Sequence, residues 1–206
     1  RNRNPETSHH ISILLLKYLS EFLDKTYKNE ILNTNFGNLN FENPIGLAAG
    51  YDKNAEVINS LFKMGFGFVE CGTVTPAAQY GNPKPRIFRL KEDKGIINRL
   101  GFNNCGIEQF SKNFNTRNLN LGIAGVNIGP NRESKNFIDD YLNLFNSVYE
   151  YADYITLNVS SPNTKNLRSI QKTEDLSILT YEINSIRESK GSHKNIVLKV
   201  DPDRGR

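Results

Sequence analysis

The chain has 206 residues, of which 37% are hydrophobic and 23% charged, and its mean hydropathy is −0.52. That is a polar globular composition, sized for one domain or one domain with an appendage. The longest apolar run, Ile13 to Leu16, is far short of the roughly 18–20 residues of a membrane-crossing helix, and two cysteines, Cys71 and Cys105, are too few for a disulfide scaffold or a structural zinc site.

The net charge of +4 comes from interspersed Lys and Arg with no basic block, which argues against a nucleic-acid partner. Cysteine usage suits a reducing compartment. The first residues lack the apolar core and cleavage site of a signal peptide. No initiating Met is present, so the natural N-terminus is expected further upstream.

From Thr7 to Leu23, Ile11, Leu14, Leu15, Tyr18, Leu19 and Phe22 recur at helical spacing, widened by Ile13, Leu16 and Leu23. Thr7 or Ser8 can cap this helix, with Pro5 just outside it. So wide an apolar face suits either a helix lying on a domain or one that partly meets lipid or an apolar ligand. Asp24 to Asn35 reads as a polar connector, which places a boundary near residue 35: a helical segment at 1–35 and the main domain at 36–206.

Beyond that boundary the rhythm changes. Strand-like runs at Pro44–Ala48, Gly67–Cys71, Leu121–Val126, Tyr154–Val159 and Asn195–Val200 alternate with helical patterns at Asn54–Met64, Cys105–Phe114, Phe137–Tyr149 and Thr173–Lys190. Such βα alternation implies a parallel sheet with helical cover, either a barrel or a doubly wound sheet. Both architectures place ligands at the C-terminal ends of their strands.

The strand ends are chemically suggestive. Ala48-Ala49-Gly50-Tyr51-Asp52-Lys53 sets small residues beside a movable cation, although a plain βα turn with a surface Lys has the same pattern. Thr73, Asn127, Asn158 with Ser161, and Lys199 end the next strands, so a barrel would aim them all at one point. Gln79 to Asn104 is too long for an ordinary connection and reads as a lid or wall, its Asn residues suiting an amide-bearing ring. His9, His10 and His193 have no metal-ligand spacing. Ser161 lacks the glycines of a nucleophile elbow.

These residues are carried by longer motifs: Asn43-Pro44-Ile45-Gly46-Leu47-Ala48-Ala49-Gly50-Tyr51-Asp52-Lys53, Met64 to Glu70, Gly72 to Leu90, Asn98-Arg99-Leu100-Gly101-Phe102-Asn103 and Asn158-Val159-Ser160-Ser161-Pro162-Asn163-Thr164. Through them almost the whole chain resembles the class 2, quinone-dependent dihydroorotate dehydrogenases. The resemblance implies an α/β fold, a TIM (β/α)8 barrel preceded by a small helical segment. It implies FMN as cofactor, oxidation of dihydroorotate to orotate in pyrimidine synthesis, and electron transfer to a membrane quinone.

By the same resemblance Ala49, Gly50, Tyr51, Asp52, Lys53, Thr73, Asn127, Asn158 and Lys199 would bind FMN. Lys53, Asn98, Arg99, Leu100, Gly101, Phe102, Asn158 and Asn163 would line the substrate. Ser161 would be the catalytic base, with Thr164 and Phe102 shaping its water relay, and Ser where class 1 enzymes carry Cys supports class 2. His9 and Arg89 would lie along the quinone tunnel, with the first helix dipping into the cytoplasmic side of a bacterial inner membrane.

A closed barrel has eight strands in roughly 250 residues, whereas five strand patterns are present here. The family pattern Ala-Pro-Asp-Leu after strand five is replaced by Asp201 and then Arg204-Gly205-Arg206. Strands six to eight, with their FMN-phosphate glycines, are therefore expected to be missing, through a shortened gene product, a partial chain, or a half completed by another polypeptide. An inactive remnant of such an enzyme is the alternative function, and a tRNA dihydrouridine synthase is a third that lacks its basic face and catalytic Cys.

Overall fold

The structure is a computed structural model that describes residues 4–23, 29–163, 167, 173–191 and 193–201. Asn4 opens the first helix, α1 (Pro5–Leu19). Its side-chain oxygen accepts the N–H groups of Glu6 at 2.9 Å and Thr7 at 3.4 Å. Pro5 therefore occupies the first helical position, where its missing N–H costs nothing. This corrects the expected cap at Thr7 or Ser8, because Ser8 instead donates its hydroxyl back to the Asn4 carbonyl. The α-helix ends at Leu19 and continues as one 3-10 turn, Ser20–Phe22.

The periodic stripe of α1 faces outward. Ile13 is buried and Leu16 packs against the core, whereas Leu14, Leu15, Tyr18 and Leu19 are exposed and Phe22 is 83% exposed. Polar contacts seat the helix: Tyr51 donates its hydroxyl to Ser12, and Ser60 donates to the Leu16 carbonyl at 2.8 Å.

Residues 29–41 depart from the expected connector. A 3-10 turn at Glu30–Leu32 is followed by an antiparallel hairpin of β1 (Thr34–Phe36) and β2 (Leu39–Phe41). These strands, TNF and LNF, have three residues each, too short for an alternating pattern to announce them. The hairpin is fastened instead by Asn195, whose Nδ2 donates to Asn38 Oδ1 at 2.7 Å and to the Phe36 carbonyl.

The central sheet contains β3 (Gly46–Leu47), β4 (Phe68–Val74), β7 (Ile123–Ile128), β8 (Tyr154–Asn158) and β9 (Asn195–Lys199), all parallel and side by side in chain order. A doubly wound sheet would reverse its strand order at a switch point; this one never does, and it forms an open run of barrel-type strands. The helices α2 (Ile58–Lys63), α3 (Gly106–Phe114), α4 (Phe137–Val148) and α5 (Thr173–Ser189) alternate with the strands. Val69, Cys71, Ala124, Val126, Ile155 and Leu157 pack with Leu61, Phe62, Phe110, Phe114, Phe145 and Leu179 in one buried core.

Two predicted segments depart from expectation for local reasons. The helix expected over Asn54–Met64 begins only at Ile58, because the Asp52 carboxylate accepts the N–H groups of Glu56 and Val57, both at 2.8 Å, and holds residues 52–57 in turns. The insertion Gln79–Asn104 holds an antiparallel pair, β5 (Ile87–Leu90) and β6 (Gly95–Asn98). Most of their apolar residues, Phe88, Leu90, Ile96 and Ile97, are exposed, and in the sequence Ile87-Phe88 and Ile96-Ile97 form adjacent apolar pairs instead of the alternation that marks a half-buried strand.

The other face of the sheet is polar. Glu70, Asn127, Tyr154, Thr156 and Asn158 hydrogen-bond with one another or through Thr73 across β4, β7 and β8. Strict alternation along β4 would turn Thr73 toward the same side as Val69 and Cys71. A register shift between Gly72 and Val74 brings it instead to the side of Glu70. Gly72 makes the shift possible: its φ is +115°, and a Cβ there would stand 2.3 Å from the Asn127 carbonyl oxygen.

Candidate functional site

At the C-terminal ends of the strands lies a cavity of about 250 Å³. Ala49, Gly50 and Lys53 reach it from the turn after β3, Thr73 from β4, Asn158 from β8 and Lys199 from β9. The insertion supplies Asn98, Leu100, Gly101 and Phe102, and the segment after β8 supplies Ser160, Ser161, Pro162 and Asn163. Twelve residues singled out in the sequence thus meet at one place, and Ser160 and Pro162 join them.

Asn127 lies beneath the cavity wall, fully buried. Its Oδ1 accepts the Thr73 hydroxyl at 2.6 Å, and Asn158 Nδ2 donates to Thr73 Oγ1 at 2.9 Å and to Asn127 Oδ1 at 3.2 Å. Lys53 donates to Asn103 Oδ1 at 2.7 Å. Burial, and then the Arg86 cation, bring the Lys53 ammonium down to about 8 against the opposing Glu6 carboxylate. Ser161 Oγ accepts the N–H of Asn163 at 3.3 Å, a local turn that fixes the hydroxyl at the cavity wall.

Phe102 has a φ of +52°, a left-handed conformation costing a bulky residue about 1–3 kcal/mol. Gln79 Nε2 donates to the carbonyls of Gly101 and Phe102, and Asn104 Nδ2 donates to the Phe102 carbonyl at 2.7 Å. Asn131 in turn holds Gln79 and the Thr75–Ala77 segment. Asn103, Asn104, Gln79 and Asn131 therefore fasten the insertion and Lys53, whereas the insertion's amides had suggested ligand contacts. A sequence signal for this role is the concentration of amides on both sides of Phe102.

Other expected residues sit elsewhere. Tyr51 and Asp52 belong to a second cavity of about 570 Å³ between α1 and the barrel, which His9, Ile13, Arg86 and Ile87 also line. His9 Nε2 lies 2.7 Å from the Tyr51 carbonyl oxygen, and Asp52 spends its carboxylate on the following turn. Arg86, missed in the sequence, is buried, donates to the carbonyls of Tyr80 and Asn82, and pairs with Glu6 at 2.8 Å. Arg99 turns its guanidinium to the Pro85 carbonyl, and Arg89 is exposed on β5 and lines neither cavity. Thr164 and residues 202–206, where the sequence leaves the family pattern, lie outside the described residues. Among the described residues no three His, Cys, Asp or Glu side chains form a metal-binding group.

Comparison with known proteins identifies relatives for nearly the whole chain. The family model described as dihydroorotate dehydrogenase matches residues 31–205. The dihydroorotate dehydrogenase (quinone) of Chelativorans sp. is 46% identical over 204 residues, covering 97% of this chain and 56% of that protein. Its namesake from Bartonella henselae is 47% identical over the same shares. Among solved structures, DHODH of Eimeria tenella in complex with ferulenol superposes with a TM-score of 0.87 at 37% identity, covering 97% of this chain and 60% of that one. The ligand-free form from the same organism gives 0.88. The chain thus spans rather more than half the length of the relatives it matches.

Proposed function

The chain belongs to the dihydroorotate dehydrogenase family, and from that premise we propose that its cavity is the front half of a site where dihydroorotate is oxidised to orotate against FMN, with a membrane quinone as final acceptor. One observation carries the reading: Lys53, the Thr73–Asn127–Asn158 cluster, Ser161 and Lys199 converge from separate strand ends on one cavity.

The residues fit a flavin. Gly50 has a φ of +112°, and nothing stands within 4 Å of where a Cβ would project, so the turn after β3 offers bare backbone to a flat ring. Asn158 and Thr73 add polar groups that suit a ring bearing both donors and acceptors. Lys53 and Lys199 supply cations on the cavity wall. FMN, when bound, supplies the two-electron acceptor for the hydride that leaves the substrate ring.

The chain's own groups do the rest. Lys53, held by Asn103, pairs with the substrate carboxylate and fixes the ring's orientation. Asn98 and Asn163 suit the polar edge of that ring. Phe102 walls the site against water. Ser161 Oγ takes the proton from the carbon beside the ring carbonyl, and because a serine is a weak base it needs an onward path for that proton. Thr164 is proposed for that path.

Residues 1–35 are proposed as the segment that meets the membrane and the quinone. The outward stripe of α1 supports this, as does the cavity between α1 and the barrel, with His9 on its wall. The proposed attachment, through this outward stripe, is peripheral, on the cytoplasmic side of a bacterial inner membrane; among the described residues no helix is long and apolar enough to cross a bilayer.

The test is to reconstitute the purified chain with FMN and follow bleaching of the flavin by dihydroorotate. Flavin uptake and bleaching are expected, and Ser161→Ala should keep the flavin while bleaching about 10²–10⁴-fold more slowly. No flavin uptake by the wild-type chain would instead favour the second reading, an inactive remnant, which the 56% coverage of a relative keeps in play.

A further inference from the structure

Glu70 sits on β4 one layer below the cavity and is not among the residues that line it. Its Oε1 accepts Asn127 Nδ2 at 2.8 Å, and its Oε2 accepts the Thr156 hydroxyl at 2.9 Å and the Tyr154 hydroxyl at 3.2 Å. Burial, and then the charge of Glu70, push the Tyr154 phenol well above its ordinary range, so it stays a donor.

We infer that Glu70 is a positioning residue whose contact with Asn127 fixes the amide orientation at the inner end of the Asn127–Thr73–Asn158 chain under the cavity. The inference rests on reading that cavity as a flavin site.

A carboxylate can only accept, so Asn127 must present its N–H₂ to Glu70 and its oxygen to the opposite side. That oxygen takes the Thr73 hydroxyl hydrogen, which leaves Thr73 Oγ1 as the acceptor for Asn158 Nδ2. With its amide nitrogen committed inward, Asn158 turns Oδ1 to Ser160, from which it accepts the hydroxyl at 2.9 Å and the backbone N–H at 3.3 Å. The buried acceptor at one end and the Ser160 N–H at the other thereby fix which atoms Thr73, Asn158 and Ser160 offer at the cavity wall. The Ser160 N–H, which can only donate, holds Asn158 Oδ1 from the outer end, so without Glu70 it is the Asn127 amide whose N–H₂ loses its acceptor, and a flipped form with N–H₂ toward Thr73 competes with the native one. A ring with a fixed donor and acceptor pattern matches only one of them, and affinity falls with the population of the matching state.

The test compares wild type, Glu70→Gln and Glu70→Met by FMN titration with flavin fluorescence. Gln keeps an acceptor for Asn127 and can aim its amide N–H₂ at the Tyr154 and Thr156 hydroxyls, which rotate to accept. It is expected to bind FMN within about threefold of wild type, and Met, similar in length but without an oxygen acceptor, at least about tenfold more weakly, since the orphaned Asn127 N–H₂ shifts the amide by about nine-tenths or more into the flipped form. Wild-type affinity in Glu70→Met would overturn the inference. So would equal losses in both variants, since negative charge rather than polarity would then be the cause.

A ligand-free readout separates this inference from the reading of the site. By NMR the Asn127 side-chain N–H₂ protons should be protected in wild type and Glu70→Gln but exchange about tenfold faster in Glu70→Met. Equal protection overturns the role of Glu70 whether or not FMN binds, whereas absent FMN binding by wild type strikes only the flavin reading. If Glu70→Met does not fold, Asn127→Asp sets two carboxylates face to face and should lose protection of the Asn158 amide. Adding Glu70→Gln to it should restore that protection, and failure to restore it overturns the inference.

Discussion

Lys53 Nζ and Asn103 Oδ1 meet at 2.7 Å, so the cation that follows β3 is held by an amide from the far end of the insertion. Burial and the Arg86 charge lower this ammonium from 10.5 to about 8. An anionic ligand favours the charged form, so affinity for orotate should be full below pH 8 and fall by up to about tenfold per pH unit above it. Calorimetric titrations at pH 7, 8 and 9 check this, and a flat profile refutes it. The unfolded chain keeps the Lys53 proton up to 10.5, so this residue should also make stability rise with pH between about 8 and 10.5.

The Arg86–Glu6 pair ties the first turn of α1 to the base of the insertion hairpin. Burial opposes ionisation of Glu6, yet the hydrogen bond and charge of Arg86 hold its carboxyl below the ordinary 4.5. Glu6→Gln should therefore loosen α1 by on the order of 1–2 kcal/mol, since Arg86 keeps its two carbonyl partners. Amide exchange from Ile11 to Leu16 should accelerate about tenfold at pH 7. In wild type the tether should be intact above pH 4.5 and weaken as pH falls below it.

Leu15 and Phe22 are 52% and 83% exposed on the outward stripe of α1. Replacing both by Ser should leave the unfolding midpoint nearly unchanged but cut partition onto vesicles containing anionic lipid by about tenfold or more. Unaltered partition in a flotation assay would remove this stripe from the membrane contact.

Arg117 stacks 4.3 Å from the Phe114 ring centroid, donates to the Tyr151 carbonyl at 2.6 Å and reaches Asp153, which accepts the Ala124 N–H. It thus joins α3 to the starts of β7 and β8. Arg117→Leu should cost about 3 kcal/mol, because Asp153 and the Tyr151 carbonyl lose a largely buried partner. Urea unfolding monitored by circular dichroism measures it, and a loss under about 0.5 kcal/mol would contradict the bracing role.

The parallel strands were legible because each is a short apolar run between helical patterns, and β8, buried throughout, is the clearest, whereas their order was not, since barrels and doubly wound sheets share that alternation. The cavity lining was legible at four strand ends, where Lys53, Thr73, Asn158 and Lys199 reach it, whereas Asn127 at a fifth lies buried beneath the wall. What escaped depends on side chains that bond across long sequence separations. The β1–β2 hairpin is fastened by Asn195, the late start of α2 by Asp52, and the insertion by Gln79 and Asn131. Glu70 escaped too, because one carboxylate in FVECGTV does not reveal which face it shares until the Gly72 register shift is seen. Arg86 resembled its basic neighbours Lys84 and Arg89 until burial set it apart.

The central sheet lays its strands down in the order in which the chain is made. Every strand after the first therefore finds its neighbour already synthesised, and no later segment has to be threaded between two earlier ones. The widest gap to close is the stretch from Thr75 to Gly122 that precedes the docking of β7 on β4. Loop closure grows costlier with separation, so that pairing is the natural slow step of assembly, and an insertion already secured by Gln79 and Asn104 would shorten the effective loop.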